Sequence, residues 1–182
     1  MTIKQIDATH RGSLKAIATI LHETFPHAYK DFEEGFEEVE SLFEGESVVL
    51  VAEDNNTIVG VIGAKAQYSH TGWELHPLAV VKSHRGKGLG SALVKALENK
   101  MRSQACVVLY LGTDDEFFQT SLSQEDLFAD PLGAIKRIKN LKNHPYTFYQ
   151  KMGFKIVGVI PDANGLNKPD IMMAKRMELQ KR

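Results

Sequence analysis

The chain has 182 residues, 43% of them hydrophobic and 25% charged; these are ordinary globular proportions, which exclude a disordered, collagen-like or fibrous chain and give a length prior of one domain. Twenty-two Lys and Arg against 23 Asp and Glu leave a net charge of -1, without the basic footprint that nucleic-acid binding calls for. No apolar run approaches the roughly 20 residues that span a bilayer, the first seven residues carry no apolar signal core, and the one cysteine, Cys106, leaves no partner for an intramolecular disulfide, so the expectation is a cytoplasmic chain in a reducing compartment that meets neither membrane nor nucleic acid.

In chain order, residues 2–7 alternate weakly and predict a short strand. Residues 10–25 place Leu14, Ile17, Ile20, Leu21 and Phe25 at helical spacing, ended by Pro26. Residues 31–43 predict an acidic helix with Phe32, Phe36, Val39 and Phe43 on one core-facing stripe. Residues 47–53 and 57–66 predict two strands joined at Asp54-Asn55-Asn56 as a hairpin, with Gly60 and Gly63 marking a bulge or a close backbone approach. Residues 73–81 form another strand, interrupted by Pro77, and residues 88–101 a helix with Leu89, Leu93, Val94 and Leu97 inward. Residues 106–111 read as a strand buried on both faces. The polar stretch 112–130 is expected to carry a helix cap at Ser123, followed by helices over 131–141 and 145–152. Strands over 155–160 and 170–177 flank the turn Asp162-Ala163-Asn164-Gly165. The pattern predicts a mixed α/β fold on a single sheet.

Charge is unevenly spread. From Asp31 to Asp54 there are ten acidic residues and no Lys or Arg, whereas residues 82–102 carry Lys82, Arg85, Lys87, Lys95, Lys100 and Arg102 against Glu98 alone. An acidic surface suits a cationic substrate and a basic one a phosphate-bearing ligand; solvated helix faces are the plain alternative.

The run Leu78-Ala79-Val80-Val81-Lys82-Ser83-His84-Arg85-Gly86-Lys87-Gly88-Leu89-Gly90-Ser91 is a strand, a turn with three glycines at alternate positions, and the start of a helix. Glycines let backbone approach a ligand, and amides at a helix N-terminus accept an anion such as a pyrophosphate. The spacing matches neither a Walker loop nor Gly-x-Gly-x-x-Gly. It fits Arg/Gln-x-x-Gly-x-Gly/Ala through Arg85, Gly88 and Gly90, and here the chain resembles the GCN5-related N-acetyltransferase (GNAT) superfamily. The segments Gln67-Tyr68, Thr71-Gly72-Trp73-Glu74-Leu75-His76-Pro77-Leu78, Tyr110-Leu111-Gly112-Thr113-Asp114-Asp115, His144-Pro145-Tyr146 and Lys168-Pro169-Asp170-Ile171 are similar to one branch, the chromosomal aminoglycoside 6'-N-acetyltransferases of Gram-positive bacteria. The phosphate turn keeps the superfamily glycines more faithfully than that branch does, and the acidic helix departs from it in detail.

The resemblance implies one GNAT domain over residues 1–182, a mostly antiparallel twisted sheet flanked by helices, and a homodimer. It also implies acetyl transfer from acetyl-CoA to a small cationic primary amine, first of all the 6'-amino group of aminoglycosides, by direct attack in a ternary complex. Its cofactor site would comprise Leu78, Val80, Arg85, Gly86, Lys87, Gly88, Leu89, Gly90 and Ser91. Glu74 is the expected proton acceptor, with a surface glutamate paired to a cation as the alternative. His76 would orient the acceptor, or serve as a structural histidine. The amide of Leu78 would donate to the thioester oxygen if Pro77 bulges the strand. Tyr149 would assist the leaving thiolate, or simply pack beside Phe148. Strand alternation puts Glu74, His76 and Leu78 on one face. Tyr68, Trp73, Glu74, His76, Asp114 and Asp115 are the expected acceptor-binding residues, although burial explains Tyr68 and Trp73 as well, and a turn or cap explains the Asp114-Asp115 pair. Cys106 reads as core, and no His/Cys grouping has metal-ligand spacing, so no metal is expected. Two other readings stand beside this one: acetylation of a polyamine or a protein amino group, and a non-catalytic coenzyme A-binding domain.

Overall fold

A computed structural model describes residues 1–178, which gather into two compact units, Met1–Val107 with residues 177–178, and Val108–Arg176. In the first unit β1 (Thr2–Ile6), β2 (Ser47–Asp54), β3 (Thr57–Gln67) and β4 (Gly72–Val80) pair antiparallel in that order. The β2–β3 turn is tight because Asn55 and Asn56 both take positive φ, 48° and 60°, the geometry of the hairpin turns that match strand twist.

The first helix, α1 (Arg11–Thr24), buries Leu14, Ile17, Ala18, Ile20 and Leu21, each of the larger ones contributing about 1.5–3 kcal/mol by leaving water. Next, α2 (Phe32–Ser41) starts at Asp31, whose carboxylate accepts from the Glu34 amide at 2.9 Å, a side-chain cap that satisfies an orphan helix donor. At Gly35 the absent side chain lets α2 approach the Ala18 backbone of α1 closely, since a Cβ there would lie 3.0 Å from the Ala18 carbonyl oxygen. Val39 is buried, and Phe36 and Phe43 pack on the α1 core with Val49, Val51, Val61 and Ala79 of the sheet. Phe32, the first residue of α2, departs from the expected stripe: it is 37% exposed and stacks on Phe36. Finally, α3 (Leu89–Met101) buries Leu89, Leu93, Val94, Leu97 and Met101; a Cβ added to Gly60 would meet Leu93 and Val80, which puts α3 on the sheet face opposite α1.

In the second unit β5 (Val108–Asp114), β6 (Lys155–Ile160) and β7 (Asp170–Arg176) pair antiparallel with β7 central, accompanied by the short helices α4 (Pro131–Lys136) and α5 (Tyr146–Lys151). Mixed α/β with mostly antiparallel strands flanked by helices is therefore the class adopted. Three local expectations are corrected. Burial alternates along β5, with Leu109, Leu111 and Thr113 inward, so that strand is not buried on both faces. Helix α4 stops at Lys136, not at 141, because the following backbone turns to pair instead: Ser121 donates to the Lys139 carbonyl at 3.0 Å and Leu141 to that of Gln119 at 2.7 Å. Ser123 is no cap; its hydroxyl donates to the Thr120 carbonyl at 2.8 Å, and Asp130 caps α4 through the Gly133 amide. Among the described residues no helix is long and apolar enough to cross a membrane.

Candidate active site

The decisive local feature lies in β4. Ile62 pairs with Leu78 but Ala64 pairs with Leu75, so a step of two residues on β3 is matched by a step of three on β4. This is a bulge at His76-Pro77, whose peptide bond is cis. Gly63 lies opposite, and a Cβ on it would collide with the His76 carbonyl oxygen. The bulge resets the alternation of side chains. Ile62 and Ala64 share one face of β3, and lateral partners share a face, so Leu75 and Leu78 stand together on the α3 side. Glu74 and His76 therefore lie on the α1–α2 side, opposite to Leu78, which corrects the expectation that all three share a face.

On that side a polar cluster forms. Lys65 is the cross-strand partner of Glu74, and its Nζ donates to the Ser41 carbonyl at the end of α2 at 2.9 Å. His76 Nε2 stands 3.2 Å from Glu38 Oε1. That hydrogen bond is the main cause holding the half-buried Glu38 carboxyl below its usual pKa, against the opposing pull of burial. Burial, reinforced by the nearby Glu38 charge, pushes the Tyr29 hydroxyl well above its ordinary range. Glu38 and Lys65 were not singled out from sequence. Glu38 appeared there only as one of a run of acids, and its partner lies 38 residues away, so no local spacing announces it.

The backbone of the same strand faces elsewhere. Val81 donates to the Val59 carbonyl at 3.0 Å. Antiparallel pairs alternate between hydrogen-bonded and non-bonded, so Leu78 and Val80, opposite Ile62 and Gly60, send their N–H groups away from β3. At the glycine-rich turn Gly86 and Gly88 take φ of 71° and 84°, and a Cβ on either would meet nothing within 4 Å. Gly is required there by conformation, and the space above the turn is open. Gly88 caps α3 without any side-chain bond, and the Ala92 amide reaches back to the Gly88 carbonyl at 3.0 Å. The preceding helical amides of Leu89, Gly90 and Ser91 fall before the first intrahelical bond and point outward, a cradle that fits a pyrophosphate. Arg85 and Lys87 brace this cradle: Arg85 Nε donates to the Val80 carbonyl at 2.7 Å, its guanidinium reaches the Thr24 hydroxyl at 3.2 Å, and Lys87 Nζ donates to the Ser83 carbonyl at 2.8 Å.

The aromatic residues divide. Tyr68 is 76% exposed. Trp73 is 0% exposed and its indole N–H donates to the His70 carbonyl at 2.9 Å, which corrects its place on the acceptor wall: it is core. In the second unit Asp115 is likewise 0% exposed. One of its oxygens accepts from the Gln119 amide at 2.6 Å and the other from the Thr120 amide and hydroxyl at 2.9 and 2.7 Å. It organises the turn and offers nothing to a substrate, so Asp115 leaves the acceptor-binding set. Asp114, in contrast, is exposed, ends β5 and accepts from the Asn164 side chain at 2.5 Å. Its carbonyl accepts from Nε2 of the fully buried His144, whose Nδ1 accepts from the Tyr146 amide at 3.2 Å. This pattern sets a neutral ring, and burial holds its pKa down. Tyr149 meets Phe148 and Phe154 edge-on, at ring-centre distances of 5.1 and 5.8 Å, and burial pushes its hydroxyl up to about 12.

A profile of the acetyltransferase (GNAT) family matches residues 14–122. The chain belongs to this family. Among solved structures it is similar, at 42% identity with both chains covered in full and a TM-score of 0.92, to an aminoglycoside 6'-N-acetyltransferase complexed with coenzyme A. It matches the aminoglycoside 6'-N-acetyltransferase from Enterococcus faecium at 42% identity and a TM-score of 0.91, again over the whole of both chains. An aminoglycoside 6'-acetyltransferase type Ii follows at 38% identity, full coverage and a TM-score of 0.78. This GNAT chain holds, among its described residues, no group of three or more His, Cys, Asp or Glu arranged to bind a metal ion.

Proposed function

We propose that this GNAT acetyltransferase moves the acetyl group of acetyl-CoA onto the 6'-amine of an aminoglycoside. The observation that carries this reading is the likeness over the whole chain to enzymes bearing that name. Acetyl-CoA supplies the acetyl group as a thioester open to attack by a neutral amine. Gly86, Lys87, Gly88, Leu89, Gly90 and Ser91 would hold the pyrophosphate, Arg85 keeping the turn in shape through its bond to Val80. The outward N–H of Val80 would bind the pantetheine arm and that of Leu78 would donate to the carbonyl oxygen as charge develops there. Glu74 takes the proton of the incoming ammonium, directly or through water, while His76 orients the acceptor. On this reading Tyr68, Glu74 and Asp114 would meet the cationic acceptor, as the likeness to those enzymes implies. One acetyltransferase domain over residues 1–182, a homodimer and a cytoplasmic setting go with this reading; light scattering on the purified chain tests the dimer.

Tyr149 would meet the leaving thiolate. With its hydroxyl at about 12 and an ordinary thiol near 8.5, full proton transfer runs uphill, so the hydroxyl acts by donating a hydrogen bond. Tyr149→Phe is expected to lower turnover about tenfold, the size of one bond to a charged group; unchanged single-turnover rates remove the role. Gly88→Val tests the cradle. A β-branched residue at φ of 84° is strained by about 1–2 kcal/mol or more. The KM for acetyl-CoA should rise at least tenfold while the acceptor KM stays within twofold.

The function itself is tested by release of coenzyme A thiol with neomycin, which carries a 6'-amine, and paromomycin, which has a 6'-hydroxyl in its place. Turnover with the first and not the second is expected. Failure with both, while acetyl-CoA still binds, moves the acceptor to another cationic amine such as a polyamine or a protein amino group.

A further inference from the structure

Two ties join the end of α2 to the sheet, and they flank Glu74. On β3, Lys65, the cross-strand partner of Glu74, donates from Nζ to the Ser41 carbonyl of α2 at 2.9 Å. The cation stands where a helix C-terminus attracts positive charge. On β4, two residues beyond Glu74, His76 Nε2 lies 3.2 Å from Glu38 Oε1. His76 shares the face of Glu74 by strand alternation, which leaves it on the α1–α2 side of the sheet. Glu38 is half-buried and also stands within 3.5 Å of the Ser41 hydroxyl, so its carboxylate is held from the helix as well as from the strand. Its neighbour Glu37 is exposed. Of the acids on α2, Glu38 is the one bonded to the strand that carries Glu74.

We propose that Glu38 is a positioning residue for the acceptor: by holding His76 against α2, in concert with the Lys65–Ser41 bond, it fixes the α2 wall beside Glu74 so that a cationic amine meets the carboxylate in one orientation. This inference rests on the acetyl-transfer reading above and deepens it. Glu38 touches no reacting atom; it acts through His76. A displacement of about 1 Å at a reacting group can cost two orders of magnitude, so a small loosening of α2 is enough to register in kinetics.

The test uses the full chain and four variants, Glu38→Ala, Glu38→Gln, His76→Ala and the double variant Glu38→Ala/His76→Ala, with Glu37→Gln as a charge control. Amide hydrogen exchange over residues 32–41 should rise at least threefold in Glu38→Ala and in His76→Ala. Glu38→Gln, which keeps an oxygen acceptor, should recover most of the protection. In steady-state kinetics Glu38→Ala should raise the acceptor KM about tenfold and leave the acetyl-CoA KM within twofold. The double variant should be no worse than His76→Ala, since the two residues form one device. Glu37→Gln should change the acceptor KM less than threefold, as loss of one exposed charge does. Wild-type exchange in Glu38→Ala, additive effects in the double variant, or an equal response from Glu37→Gln overturns the proposal. Should no aminoglycoside be acetylated, the exchange arm still decides the proposal, and the failure belongs to the acceptor reading alone.

Discussion

Replacing Gly63 by alanine is expected to lower both melting temperature and turnover, although one methyl group is the whole change. The added carbon would overlap the His76 carbonyl oxygen and press on the Pro77 ring, with the next contacts at 3.3 Å. The obstructing atom is backbone, in the bulge that separates the Glu74 face from the Leu78 face, so it has no side-chain rotamer with which to give way. Overpacking of this kind costs about 1–3 kcal/mol, and for a chain of this size that lowers the melting temperature by roughly 2–4 °C per kcal/mol. Any relief must widen the β3–β4 pairing and move Glu74, His76 and the Leu78 amide relative to one another, so kcat/KM for the acceptor should fall at least tenfold. Gly12→Ala serves as the control, because a Cβ at Gly12 meets nothing within 4 Å; that variant should keep wild-type activity. A Gly63→Ala enzyme with wild-type melting and kinetics would show that the bulge is plastic and that its spacing does not matter.

Glu74→Gln should have the larger effect on chemistry. The substitution keeps size and one hydrogen-bonding oxygen but removes the carboxylate proposed to accept the proton, and a positioned base is worth about 10²–10⁴ in rate. The sign of the pH dependence separates this role from a structural one. Without the carboxylate, the variant must wait for acceptor that is already neutral, and below the amine's own pKa that fraction grows about tenfold with each pH unit. The deficit should therefore shrink as pH rises. The melting temperature should barely move, since Glu74 is only half-buried on the sheet surface. A deficit of equal size at every pH would mean that Glu74 binds the acceptor and takes no proton. A deficit below tenfold would transfer the base role to water.

The two variants probe different kinds of information. Glu74 was recognised in the sequence because it stands in the run Trp73-Glu74-Leu75-His76-Pro77-Leu78, whose likeness to one GNAT branch carried an expectation of role. The Gly63 contact was foreseen only as a strand glycine that signals a bulge or a close approach. Which it was, and what it did to its neighbours, depended on the partner strand. Strand alternation read straight through Pro77 put Glu74, His76 and Leu78 together, whereas one extra residue in β4 parted them.

The sequence alone determined what local chemistry controls. Helical spacing in α1 and α3, the paired asparagines of the β2–β3 turn, and the glycines at 86 and 88 where φ must be positive are all properties of a few adjacent residues, so they are legible without the rest of the chain. Family membership is legible for the same reason, since it rests on contiguous motifs. Tertiary structure decided the rest. Asp115 differs from Asp114, and Trp73 from the likewise aromatic Tyr68, in burial, and burial is a sum over distant segments. Helix α4 ended early because residues 139–141 found backbone partners at 119–121. Glu38 rose above the other acids of α2 only because His76, on a strand 38 residues on, stands against it. Contacts across such separations are set by register and packing, which no local pattern encodes.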